Sequence, residues 1–270
     1  MKKIKNFILE QAFKKGILLD RLEPSSKLKN FIKRFSENYI NVDLIRVGGD
    51  EDGGYLLTNN LDEVKYCFSL GVGGSINFEK ELSQSYGIKS FMADGSDDII
   101  SFSEKNLLFT KKYIGSRTYD DNITLTDFIF SSIGNSLDNK ILQMDIEGSE
   151  YEILSYESIE TLSSFTTLII EFHELQKLFQ AEFLRSCQSI FEKIYLNFSI
   201  CHVHPNNCCG IAEIDQIKVP RVMEVTFIRK DLVSRFKNNT KNISVPHKLD
   251  VKNMKHLPDV KMPENWYKNN

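Results

Sequence analysis

Hydrophobic positions along this chain follow two patterns. Up to about residue 40 they recur at helical spacing: Ile4, Phe7, Ile8 and Ala12 in one stretch, Leu28, Phe31, Ile32 and Phe35 in another. Pro24-Ser25-Ser26 lies between them, breaking the first stretch and able to start the second as a new helix. From residue 44 short apolar runs take over. LIRVGGDEDGGYLLT (44–58) predicts two short strands around a Gly- and Asp-rich turn. Strands and helices then alternate. VKYCFSLGV (64–72) is a strand, followed by a helix on FEKELSQSYG; IKSFMADG (88–95) is the next strand, and residues 112–115 hold a short third one. ITLTDFIFSSIG (123–134) is helical, KILQMD (140–145) is a strand with a helix after it to about 160, and TTLIIEFH (166–173) is a fifth strand. A helix on LRSCQSIFEKI (184–194) separates it from two late strands, LNFSICHVH (196–204) and VMEVTFIRK (222–230).

Repeated strand–helix alternation predicts an α/β fold: a mainly parallel sheet covered by helices on both faces. No internal repeat or low-complexity linker divides it. The expected organisation is an N-terminal helical cap (1–43), one α/β domain (44–235) and a polar tail (236–270) that lies extended on the surface, with Pro246, Pro258 and Pro263 in it.

Composition narrows the function classes. A net charge of −3 gives no whole-chain argument for nucleic acid. No apolar run approaches the ~20 residues of a membrane span, and Lys residues interrupt the N-terminus too often for a signal peptide. Five scattered cysteines are most simply reduced thiols of a cytoplasmic protein. The apolar stripes of the two N-terminal helices suit packing on their own domain or on a second copy in a homodimer.

The chemistry concentrates where strands end. ILQMDIEGSEYEIL (141–154) carries a buried strand to Asp145 and Glu147. In open α/β sheets ligands bind at the carboxyl ends of strands, and two acids at i and i+2 leave a continuing strand on the same side. The competing reading is that Glu147 and Glu150 only favour a helix N-terminus through its dipole. Glu171 and His173 end the fifth strand with the same spacing, so in neighbouring strands Asp145, Glu147, Glu171 and His173 converge. Carboxylates with an imidazole suit a divalent metal such as Mg or Mn on Asp145, Glu171 and His173, or metal-free general-base catalysis.

SLGVGGSINFE (69–79) follows the first strand of the alternation. Gly71, Gly73 and Gly74 let the backbone approach a ligand ahead of a helix N-terminus. A dinucleotide fingerprint wants a small residue at position 76, where this chain has Ile76, which disfavours a nicotinamide-dependent sugar enzyme. Asp94 ends the second strand, one strand–helix unit on, where a carboxylate can accept both hydroxyls of an adenosine ribose. S-adenosylmethionine, an adenosine cofactor without phosphate, suits this pair, with Gly71, Gly73, Ser75, Asp94 and Ser96 as its expected contacts. A third cluster, ICHVHPNNCCG (200–210), alternates His202 and His204 on one strand face before an Asn turn. Its spacing is not that of a structural zinc site; His204 is a candidate base, and Asn206 and Asn207, with Glu147, are candidate acceptor-binding groups.

Together these residues resemble the FkbM-like family of S-adenosylmethionine-dependent methyltransferases. RVGGDEDGGYLL, SLGVGGSINFE, LQMDIEGSEYEIL, LIIEFHEL and CHVHPNN carry the resemblance, with PHKLDVKN in the tail as a weaker echo, over about residues 44–250. It implies a class I methyltransferase fold, a seven-stranded sheet with an antiparallel final strand. It implies methyl transfer to oxygen, frequently a sugar hydroxyl of a nucleotide-activated sugar or a polysaccharide precursor. By position, Gly71, Gly73 and Asp94 hold the cofactor, and Asp145, Glu171 and His173 face the acceptor. His173 is the departure, standing where metal-using relatives offer Asp or Asn. A non-catalytic sugar- or partner-binding module on the same fold is the alternative from another class.

Overall fold

Short, nearly continuous apolar runs become strands when both faces of their sheet are covered. In the computed structural model, which describes residues 2–16, 22–50, 52–73, 75–96, 104–236 and 244–268, seven such strands form the central sheet. They are β1 (Val64–Leu70), β2 (Lys89–Ala93), β3 (Leu107–Thr110), β4 (Asn139–Met144), β5 (Phe165–Phe172), β6 (Phe198–Pro205) and β7 (Met223–Arg229). Their order is β6-β7-β5-β4-β1-β2-β3. The strands from β1 to β5 pair in parallel, and β7 runs antiparallel between β5 and β6. Every residue of β5 is buried, the signature of a central strand. The order reverses between β1 and β4. A crevice therefore opens at their carboxyl ends, where Gly71 and Asp145 emerge side by side.

Helices α1 (Lys2–Lys14), α2 (Ser25–Glu37), α3 (Asn77–Tyr86), α4 (Leu125–Ile133), α5 (Glu150–Tyr156), α6 (Ile159–Ser163), α7 (Ala181–Tyr195) and α8 (Val233–Phe236) surround the sheet or precede it. An antiparallel pair, Ile45–Val47 with Tyr55–Leu57, holds the Gly- and Asp-rich turn beside the crevice; Glu51 of that turn lies outside the described residues, as does Gly74.

Four local expectations need correction. The third sheet strand is Leu107–Thr110, whereas Tyr113–Ile114 pairs with Asn122–Ile123 outside the sheet. LLFT is apolar but only four residues long, with polar residues on both sides, and as an edge strand it is partly exposed, so it does not stand out as a sheet strand. The helix expected from 146 to about 160 is two, because the Ser158 hydroxyl accepts the Thr161 N–H at 3.0 Å and caps a new start for α6. A hairpin, Ile211–Ile214 with Ile217–Pro220, was not foreseen. Its two turn residues, Asp215 and Gln216, take positive φ without the Gly that normally marks such a turn. Lastly, Cys208 and Cys209 are joined as a disulfide between chain neighbours, while Cys67, Cys187 and Cys201 are free and buried.

The tail also departs from expectation. Met262, Trp266 and Tyr267 are buried in the main core together with the α2 stripe of Leu28, Phe31, Ile32 and Phe35. Trp266 packs edge-on against Phe31 and Phe35, and its Nε1 donates to the Lys218 carbonyl at 3.0 Å. Polar residues dominate the tail's composition, so a few large apolar anchors set far apart are easily passed over. Trp266→Ala should lower stability by about 3–5 kcal/mol, as large-to-small changes at buried aromatics do; a urea unfolding midpoint equal to wild type would contradict the packing described. On α1, Phe7 and Phe13 are exposed, while the side chains of Ile4 and Ile8 lie outside the described residues. Among the described residues no helix is long and apolar enough to cross a membrane.

Candidate functional site

Two cavities open at the carboxyl ends of the parallel strands and share Gly71, Asp94, Ser96, Asp145 and Glu147. The smaller, about 200 Å³, reaches down to Tyr55, Glu79 and Gln143. The larger, about 870 Å³, extends over Tyr113, Arg117, Tyr119 and Glu152. Five residues singled out from sequence thus form the wall common to both.

Gly71 leaves β1 with φ +74°, its N–H donating to the Ala93 carbonyl at 2.9 Å. Gly73 is exposed, also at positive φ, and a Cβ there would meet nothing within 4 Å. Ser75 closes the turn with its N–H on the Val72 carbonyl at 3.0 Å and lines the small cavity. Asp94 accepts from the Ser96 N–H at 2.8 Å and hydroxyl at 2.7 Å through one oxygen, and from the Val72 N–H at 3.2 Å through the other. Burial alone would raise its carboxyl, but these donors hold it below the ordinary range. An ionised carboxylate between the two cavities is suited to paired hydroxyls.

Asp145, Glu171 and His173 come together, each offering an atom within 4.8 Å of the others'. Asp145 follows the last residue of β4, and its N–H donates to the Leu70 carbonyl at 2.8 Å. Burial pushes its carboxyl up to about 6 against the opposing pull of Glu171 and His173, and its Oδ1 is buried without a hydrogen-bond partner. Glu171 is pushed well above the usual carboxylate range by burial and by the charge of Asp145. For His173 burial disfavours the imidazolium, but the hydrogen bond and charge of Glu150, with Glu171 and Asp145, outweigh it and raise the group to about 9.

Glu150 is the residue that sequence reasoning assigned only to the helix start. It is fully buried at the first position of α5 and meets His173 Nδ1 at 3.0 Å. The same oxygen accepts the N–H groups of Ile146 and Gly148 at 3.2 and 3.1 Å, so one carboxylate fixes both the ring and the loop after Asp145. Tyr151 adds a second clamp, its hydroxyl donating to the His173 carbonyl at 2.5 Å. Glu147 does not continue the strand: it sits at φ +55° with an exposed side chain, its Oε2 3.5 Å from His173 Nε2. Spatial closeness to His173 is what it shares with Asp145, rather than a strand face.

The cluster on β6 divides. Asn206 joins the site, donating from Nδ2 to Glu171 Oε1 at 2.7 Å. Asn207 does not: its amide donates to the tail carbonyls of Met254 and Pro258 at 2.9 and 3.2 Å, and its Oδ1 accepts the Met254 N–H at 2.8 Å. Neither cavity is lined by His204, which is buried with Nδ1 3.5 Å from Asp250 of the tail. Asp250 also meets His202 Nε2 at 2.8 Å. These histidines latch the tail to the sheet edge, and nothing in the sequence near them announces a partner 46 to 48 residues away.

The profile of the methyltransferase FkbM domain matches residues 23–199. The chain belongs to the FkbM methyltransferase family. With the sheet order and the antiparallel β7, this makes it a class I, S-adenosylmethionine-dependent methyltransferase. The FkbM match takes in α2, which the sequence resemblance had left outside, and stops within β6. Similar solved structures are distant. The Methanococcus jannaschii fibrillarin pre-rRNA processing protein is 10% identical with a TM-score of 0.38, covering 64% of this chain and 70% of that one. The antibiotic-resistance methyltransferase Kmr is 11% identical with a TM-score of 0.33, covering 68% and 100%. Likenesses this remote say nothing of substrate. A search of curated proteins found no match. In this FkbM methyltransferase the obstacle to a dinucleotide turn is physical: Ile76 is buried against Val72, Met92 and Leu107 just before α3.

Proposed function

We propose that the protein transfers a methyl group from S-adenosylmethionine to a sugar hydroxyl of a nucleotide-activated sugar or a surface-polysaccharide precursor. The observation that carries this reading is the cluster of Asp145, Glu171 and His173 in an FkbM fold, with Asp145 on the wall shared by the two cavities. Bound in the crevice, the cofactor supplies a methyl group on a positively charged sulfur. Gly71, Gly73 and Ser75 lie along the turn it would follow, and Asp94 offers its carboxylate to the ribose hydroxyls. Asp145 then has the properties of the group that takes the acceptor's proton. It stands at the cavity wall, its Oδ1 is unpartnered, and its pKa near 6 leaves it ionised yet basic at neutral pH. Aligning oxygen, carbon and sulfur accounts for much of the remaining work.

The same three residues would hold a divalent cation. Two neighbouring carboxyls, one of them with an unpartnered oxygen on Asp145, suit a bound cation, and oxygen donors favour Mg or Mn while the imidazole admits transition metals. Such an ion would lower the pKa of a hydroxyl oxygen. Glu150 would hold His173 for it, since the carboxylate on Nδ1 leaves Nε2 facing Asp145 and Glu147.

A panel of sugar nucleotides and oligosaccharides with radiolabelled methyl donor tests the proposal; labelling of none, with free hydroxyls throughout, would remove the sugar acceptor. In the same assay EDTA should slow transfer by roughly tenfold or more, and Mg or Mn should restore it. A rate indifferent to EDTA would leave the cluster as a metal-free base.

A further inference from the structure

Glu79 occupies the first turn of α3, where an acid is ordinarily exposed and serves the helix dipole. Here it is only 3% exposed and lines the small cavity with Gly71, Gly73 and Ser75. One of its oxygens, Oε1, is bonded by the Ser69 hydroxyl of β1. Ser69 Oγ lies 2.6 Å from Gln143 Oε1, and Gln143 Nε2 donates to the Tyr55 hydroxyl at 3.0 Å. This buried chain of polar groups, anchored on β1, β4 and the Tyr55–Leu57 strand, fixes the Glu79 rotamer. The other oxygen, Oε2, is buried with no hydrogen-bond partner. Burial accordingly pushes the Glu79 carboxyl up, with only Ser69 and its own backbone opposing.

The charge balance of the cavity points the same way. Among its described lining residues are Asp52, Glu79, Asp94, Asp145 and Glu147, and no Lys, Arg or His. Such a cavity suits a ligand whose enclosed end is cationic. Asp94 and Ser96 lie at the mouth shared with the larger cavity, so a ligand with its ribose at Asp94 directs its other end towards the Gly-rich turn and Glu79. The far end of an S-adenosyl amino acid carries an ammonium group beside its carboxylate, and of the two it is the ammonium that the buried acid Glu79 can pair with.

We propose that Glu79 receives the α-ammonium of the methyl donor on its free Oε2 and thereby selects ligands that carry an amino-acid end, an assignment that rests on the S-adenosylmethionine reading of the site. Ser69 is a positioning residue in this arrangement: it holds the carboxylate and lines neither cavity, while Gln143, on the cavity floor, ties Ser69 to Tyr55. An unpaired buried carboxylate is costly, whereas a charge-assisted hydrogen bond to an ammonium is among the stronger polar contacts.

Isothermal titration of the full chain with two ligands tests this. One is S-adenosylhomocysteine; the other is its deaminated analogue, which keeps the adenosine, thioether and carboxylate and lacks only the amine. Wild type should prefer S-adenosylhomocysteine by about tenfold to a hundredfold, the range for a hydrogen bond to a charged group. Glu79→Gln, nearly the same shape without the charge, should bind both about equally. Glu79→Asp, which draws the charge back by one methylene, should keep part of the preference. A merely structural role would weaken both ligands together and leave the preference intact, so a Glu79→Gln or Glu79→Asp protein with the full wild-type preference overturns the assignment, as does a wild type with none. Failure of wild type to bind either ligand removes the cofactor reading itself, and this proposal with it.

Discussion

Asp145→Asn is expected to lower the methyl-transfer rate by roughly 10²–10⁴-fold, the range for loss of a positioned general base, in a protein that still folds. Asparagine matches aspartate in shape. The backbone bond from residue 145 to the Leu70 carbonyl does not involve the side chain and survives. Asp145 Oδ1 has no hydrogen-bond partner to lose, and removing the charge relieves repulsion against Glu171, Glu147 and Glu150 while giving up the attraction of His173 and the contact with Glu171. These effects oppose one another, so stability should change by no more than about 1 kcal/mol, and S-adenosylhomocysteine should still bind because the Gly-rich turn and Asp94 are untouched. Steady-state kcat beside a thermal unfolding curve separates the cases. A kcat within about threefold of wild type would show that Asp145 neither takes the proton nor holds an ion that matters, since either task is worth far more than that.

How much of this was legible in the sequence depended on whether the deciding contact was local. Asp145, Glu171 and His173 could be paired because strand ends follow from the βα alternation and the adjacency of the fourth and fifth strands from the methyltransferase-type sheet that the family resemblance implies; β4 and β5 are indeed parallel neighbours. For Glu147 the shared strand face fails on a local detail, although the residue does reach the cavity wall: the strand stops at Met144 and residue 147 turns to positive φ, so the i, i+2 rule no longer applies. Glu150 and Glu79 look like ordinary first-turn acids. Only the folded chain reveals that each is buried, one behind His173 and the other beneath the Gly-rich turn. His204 and Asn207 were correctly placed on β6 and its turn, but their partners lie in the tail, and no periodicity links positions 204 and 250. Trp266 was hidden for the same reason.

The second large effect concerns the backbone that joins these groups. Gly71→Ala should destabilise the protein on the order of 4 kcal/mol or more, at the top of the range for single substitutions. Its φ of +74° already disfavours any side chain, and an added Cβ would fall 1.7 Å from the Asp145 carbonyl oxygen and 2.8 Å from its carbonyl carbon. Neither atom can yield cheaply. Asp145 is tied through its N–H to Leu70, and Gly71 through its own N–H to Ala93, so relief means prising β1 from β4 or β2 where the strand order reverses. Gly73→Ala is the natural comparison: its φ is also positive at +52°, but an added Cβ meets nothing within 4 Å. There the cost should be about 1–2 kcal/mol, the strain of a left-handed residue alone. Urea midpoints for the two variants measure the difference, and equal midpoints would mean that Gly71 and Asp145 do not abut as described. The contrast has a functional edge. The glycine that would admit the donor's backbone approach also sets the position of the acid facing the acceptor, so a side chain at 71 should disturb cofactor affinity and proton removal together, whereas one at 73 reaches only the cofactor.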